Sequence, residues 1–275
     1  MNSVSVAWIL MVIAGLWTLC GVASLAGAGV LLRSNTLALR LDLLARIALA
    51  AGVACLAALL AALWITLDRP PMRTLGETRL WYALLLPSIG LLIEWRLKTR
   101  VLRLPMVVFA LLFIGINIAR PETLDRTLMP ALQSVWFVPH VVVYMIAYAA
   151  LGLGCGAAVW TLIHRWWRAR PVTDADLHTP MLLVHLAVPF LTLGICFGAI
   201  WAKQAWGHYW TWDPKETWAL LSWGAYVAII HLERHRGSSP RRLLLLNIFA
   251  FIVLLGCWFL LNHLPAARTS VHAYT

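Results

Sequence analysis

The residues most able to do chemistry lie in one short stretch, Trp206-Gly207-His208-Tyr209-Trp210-Thr211-Trp212-Asp213-Pro214-Lys215-Glu216-Thr217-Trp218, with Trp201 before it and Trp223 after it. Sixteen Trp in 275 residues is high, and their bunching here needs a reason. Part of the reason is local. Asp213 is a good N-cap, Pro214 suits a first helical turn, and Glu216 stands where a capping box needs it. Aromatic residues also gather at membrane interfaces for ordinary reasons. Density suggests more. Flat side chains clustered in one loop make a platform for a flat apolar ligand such as a porphyrin. The propionates of a porphyrin would seek cations or a helix N-terminus. Its iron would need axial ligands, and histidine is the usual one. His140, just after Pro139, and His272, near the C-terminus, are the candidates that bracket the loop.

These groups must be positioned by membrane helices. Apolar residues make up 62 % of the chain, charged residues 12 %, and the mean hydropathy is +0.81. A soluble domain is about 45–50 % apolar. This excludes a cytosolic enzyme, a disordered chain and a disulfide-stapled secreted module, and leaves an all-α polytopic membrane bundle. Eight stretches have the character of spans, near residues 6–32, 43–66, 80–95, 101–119, 140–163, 181–201, 217–232 and 243–262. The third is the weakest, with Pro87 inside it and Glu94 at its end. The first has no cation ahead of it, unlike a cleaved signal peptide, so it is expected to be a retained helix. Basic residues favour the segments after the odd-numbered spans by 14 to 8, which predicts both termini outside. That topology puts residues 120–139, 202–216 and 263–275 on one outer face. The formal charge of +11 then reports membrane orientation, and no nucleic-acid partner is expected.

The remaining candidates are weaker. No two of the five cysteines form CxxC, so neither a dithiol nor a zinc site is expected. His231 lies near the inner end of the seventh span, where an ionisable group is a functional suspect. His185, in the sixth span near its inner side, could line a porphyrin path or pair with His231, and reads first as a satisfied core residue; His164 with Arg165, Trp166 and Trp167 reads as an interface anchor. His208 reads as a solvated loop residue, and His263 as a lesser alternative to His272. Lys203, Lys215 and Arg126 are outer cations that could meet propionates.

The stretch WGHYWTWDPKETWALLSW resembles the tryptophan-rich WWD motif of the cytochrome c assembly proteins. Its continuation DPKETWAL is similar to the CcsA (ResC) branch, the membrane half of the System II cytochrome c synthase. HVVVYMIAYAALGLG after His140, YVAIIHLERH around His231 and SVHAY around His272 extend the resemblance over roughly residues 135–275. It implies a haem-handling core over 131–275 behind variable helices in 1–130. It also implies a haem b site at the outer face, held by Trp206, Gly207, Trp210, Trp212, Asp213 and Trp218, with His140 and His272 as axial ligands. A second, transmembrane haem would take His231 and a ligand from a CcsB/ResB-like partner. The implied task is attachment of haem to the CxxCH motif of apocytochrome c, as a subunit of a synthase complex, with room for a thiol-reducing protein. The implied place is a bacterial cytoplasmic or thylakoid membrane, with the loop on the periplasmic or lumenal side.

Three other readings compete. A CcmC-like protein would load haem onto a chaperone, but that branch departs from DPKETWAL. A b-type electron-transfer cytochrome needs facing His pairs deep in the membrane, and His185 and His231 are too few for the usual two haems. A transporter with an aromatic belt would want an intramembrane acid relay, which the sequence does not show.

Overall fold

The computed structural model describes residues 3–30, 35–121, 134–235 and 238–260. Among them are eight α-helices: α1 (Ser3–Val30), α2 (Asn35–Leu67), α3 (Leu75–Leu97), α4 (Arg103–Ala119), α5 (Phe137–Trp167), α6 (His178–Trp206), α7 (Pro214–Arg234) and α8 (Pro240–Leu255). A 3-10 turn, Asp174–Leu177, precedes α6, and α8 widens into a π turn over Gly256–Leu260. No strand occurs among the described residues. By length and composition, α1, α2, α3, α5, α6 and α8 can each cross a membrane, while α4 is a shorter apolar helix of 17 residues. The helix expected to be weakest, α3, is among the six. Pro87 lies within it and is accommodated without breaking it. α7 has 21 residues and carries Lys215 and Glu216 at one end and Glu233 and Arg234 at the other. The protein is a polytopic helical membrane bundle.

The chain divides into two compact units, Met1–Leu128 and Met129–Thr275. In the first, α1 packs on α2 and α4, and α3 packs on α4 and α2. Close approach is built from small residues. A Cβ on Gly52 would collide with the indole nitrogen of Trp17, which is fully buried and donates to the Leu49 carbonyl at 3.3 Å. α3 begins with a capping box, Thr74 to Glu77, and Glu77 also takes a bidentate pair from Arg69 at 2.8 and 3.0 Å. At the other end of α3, Arg103 is buried between Glu94 and Asp42, with Arg46 and Arg100 closing on Asp42 at 3.2 and 3.1 Å.

In the second unit, α5 packs on α6 and α8, and α7 packs on the same two helices, giving a four-helix arrangement. The run Ala147 to Ala158 in α5 explains the tight α5–α6 contact: Ala147, Ala149, Ala150, Gly152, Gly154, Ala157 and Ala158 are all buried. Small side chains let membrane helices approach closely where the hydrophobic effect gives no help. α5 starts three residues earlier than the apolar run suggests. Pro139 is tolerated in its first turn because amides there have no intrahelical acceptor to lose. His140 is thereby already helical, its amide donating to the Trp136 carbonyl at 3.2 Å.

Candidate functional site

The tryptophan-rich loop joins α6 to α7. α6 ends on Gly207, whose φ of 87° is the left-handed conformation of a helix C-cap and whose amide returns to the Lys203 carbonyl at 3.1 Å. Lys203 Nζ donates to the Gly207 carbonyl at 2.8 Å and stands 5.5 Å from the Tyr209 ring centre. The loop closes on α7 through the expected capping box. Asp213 accepts from the Lys215 amide at 2.9 Å, and Glu216 accepts from the amides of Asp213 at 3.1 Å and Thr211 at 2.8 Å. One carboxylate thus fixes both ends of the Thr211–Asp213 segment. Between them Trp212 has φ 61°, a region bulky side chains rarely enter, and its ring is 68 % exposed. Thr217 Oγ1 donates to its carbonyl at 3.2 Å. A strained, outward-facing indole held from both sides is the kind of feature that function maintains.

The aromatic rings form two groups. Trp210 and Trp212 meet edge to face at 5.8 Å. Trp201, only 3 % exposed, is packed by Trp206 at 4.8 Å and by Phe137 at 5.4 Å. The same Trp201 ring stacks on His140 at 5.4 Å and 28°. Trp218 lies apart, over Gly256 at the π turn, where a Cβ would sit 3.1 Å from its ring. Tyr144 and Tyr148 continue from His140 along one face of α5, at ring separations of 4.9 and 5.6 Å, and Tyr148 reaches Trp258.

His140 is half-buried, and its Nδ1 lies 2.9 Å from the Gly194 carbonyl of α6. A carbonyl only accepts, so Nδ1 carries the hydrogen and the lone pair of the neutral ring is on Nε2. A histidine anchored by one nitrogen and basic at the other is the usual metal-ligating form. Burial of Lys215 holds its ammonium below the usual lysine pKa, with Cys257 and Asp213 opposing that shift. Compensating negative charge would be welcome there. The residues present therefore fit a haem: an imidazole anchored through Nδ1, an indole stack, exposed indoles and a lysine in the first turn of α7.

The other expected residues fall as follows. His272 and His263 lie outside the described residues, as does Arg126. His208 is exposed in the loop. His231 is exposed near the far end of α7, about 26 Å along the helix from Pro214. Its ring is 4.3 Å from that of His235, one turn on. His185 is an exposed residue paired with Glu233 at 2.7 Å, a correction to its reading as a core residue. Its helix presents it at the same end as His231, where α7 supplies the acid. His164 stacks on Trp160 at 6.3 Å, beside the exposed Trp166 and Trp167. Missed by the sequence reading were Gly194, Gly198, Tyr144 and Phe137. The Gly-x-x-x-Gly spacing of 194 and 198 and the i, i+4 spacing of His140 and Tyr144 were the available signals.

A family model described as cytochrome C assembly protein matches residues 9–267. The chain belongs to the cytochrome C assembly protein family. Among similar proteins is the cytochrome c biogenesis protein CcsA of Synechococcus elongatus, 30 % identical over 274 residues, covering 80 % of this chain and 83 % of the relative. The CcsA of Heterosigma akashiwo is 28 % identical over 255 residues, covering 77 % of this chain and 78 % of the relative. A solved structure of the cytochrome c heme lyase CcmF has a similar fold, with a TM-score of 0.65 at 21 % identity. That match covers 94 % of this chain, which spans about half, 47 %, of the lyase. As a CcsA-like member of the family, this multi-pass membrane protein functions in cytochrome c biogenesis.

Proposed function

We propose that this chain holds haem at the outer face of its membrane and presents it for covalent attachment to apocytochrome c. The observation that carries the reading is His140, stacked under Trp201 and anchored through Nδ1 to the Gly194 carbonyl, at the end of the bundle that also bears the tryptophan-rich loop. His140 Nε2 would hold the iron, with His272 of the C-terminal tail as the expected second ligand. Trp201 shields the imidazole face, the Trp210–Trp212 pair and Trp206 wall the macrocycle, and Lys203 and Lys215 are the nearby cations offered to the propionates. Reduced haem offers vinyl groups to which the two thiols of a CxxCH motif add. The chain's own part is to orient the ring, limit water at the iron and leave one edge open.

The loop accordingly faces the periplasm or the thylakoid lumen, and the cargo is haem b. His231 belongs to a separate, transmembrane haem position. His231 and His235 project from one side of one helix, so they cannot occupy opposite faces of a single haem. With His235 excluded, the second ligand is expected from a CcsB-like partner.

The test is to purify His140→Ala and His272→Ala with the partner and record haem spectra and cytochrome c yield. Loss of the outer haem signal and of assembled cytochrome in both supports the reading. Retention of both by either variant overturns that ligand assignment.

A further inference from the structure

The α6 helix has two glycines one turn apart, Gly194 and Gly198, facing α5. A Cβ on Gly198 would lie 2.8 Å from Cε1 and 2.9 Å from Nδ1 of His140. A Cβ on Gly194 would lie 2.8 Å from the ring of Tyr144. Neither approach is possible for real side chains without movement. The two bare positions form a notch into which the imidazole and the phenol ring sink. The notch also exposes backbone. A helical carbonyl has a second lone pair beyond the one used along the helix, and neighbouring side chains normally hide it. Here the Gly194 carbonyl is open to the side and takes the His140 Nδ1–H at 2.9 Å.

We infer that Gly194 and Gly198 are positioning residues that set the tautomer, orientation and electron-donating strength of His140 as a haem ligand. The inference rests on the proposed role of His140. The argument is geometric. The α5–α6 contact leaves one seat for the ring, bounded by Trp201 on its face at 5.4 Å and Tyr144 on its edge at 4.9 Å. The floor of that seat is main chain, which cannot change rotamer. A fixed Nδ1–H donor bond makes the distal nitrogen a stronger donor to iron, and such supporting bonds tune metal affinity by about 10–100-fold. A stronger donor favours ferric over ferrous iron, so weakening the bond raises the midpoint potential.

The test compares wild type, Gly198→Ala, His140→Ala and, as a control, Gly224→Ala, whose Cβ would meet nothing within 4 Å. Each is purified with its partner, and haem content, midpoint potential and spectrum are measured. The expected result is loss of outer haem in His140→Ala, a raised potential with haem retained in Gly198→Ala, and no change in Gly224→Ala. If Gly198→Ala loses haem, added imidazole decides. Recovery of the wild-type low-spin spectrum shows a displaced ligand and supports the inference, and failure to recover overturns it. A wild-type potential and spectrum in Gly198→Ala, with haem lost in His140→Ala, overturns the inference alone. Haem retained at wild-type level in His140→Ala overturns the reading beneath it.

Discussion

Replacing Glu216 by alanine removes the one acceptor that serves both Thr211 and Asp213. A hydrogen bond to a charged group contributes about 1.5–3 kcal/mol net, and an exposed donor that water can reclaim contributes much less. Thr211 is exposed and its amide rehydrates, whereas Asp213 is 8 % exposed and its amide is poorly reached. The expected loss is therefore close to one charged bond, about 1.5–3 kcal/mol. Asp213 keeps its own cap on the Lys215 amide, so α7 still begins where it does. The damage falls on the segment carrying Trp210 and Trp212, which keeps only the Thr217 hydroxyl on the Trp212 carbonyl as a tie to the helix. The assay is paired: thermal melting of the purified complex, and yield of holocytochrome c in cells. Glu216→Ala should lower both, and Glu216→Gln, which keeps an acceptor oxygen without the charge, should recover the share of a neutral bond, roughly 0.5–1.5 kcal/mol. Wild-type melting and yield in Glu216→Ala would refute the reasoning. So would equal damage in the Gln variant, because the lost quantity would then be charge and not an acceptor.

Two other predictions follow from strain and burial. Trp212→Gly removes a side chain from a left-handed backbone position, so the protein should melt no lower than wild type, gaining up to about 1 kcal/mol, while holocytochrome c yield falls; a parallel loss of stability and yield would contradict the functional reading of the strain. Arg103→Met leaves the buried Glu94 and the half-buried Asp42 without their central cation, which costs about 3–5 kcal/mol, toward the low end because Arg46 and Arg100 remain nearby. Melting in detergent should drop accordingly, and adding Glu94→Gln should restore part of it; no rescue by the second change would argue against an uncompensated charge as the cause.

The helices and the start of α7 were legible because their causes are local. Asp213-Pro214-Lys215-Glu216 spells a capping box on its own, and the apolar runs are long enough to be read one at a time. What was not legible depends on register between helices. His140 and Gly194 are 54 positions apart, and only the α5–α6 packing brings an imidazole to a bare carbonyl. His185 sat in an apolar run and so read as core, yet its helix face turns it outward to Glu233, 48 positions away. Arg103 counted as one loop cation among many, although two acids from α2 and α3 bury it. Charge counting treats every basic residue as solvent-facing, and a buried ion pair escapes it.

The most direct measurement is a cryo-EM map of the partner complex loaded with haem. It should place the outer iron within coordination distance of His140 Nε2, with Nδ1 still on the Gly194 carbonyl and the macrocycle walled by the tryptophans of the α6–α7 loop. An outer iron ligated by other residues, with His140 turned away from it, would contradict the account.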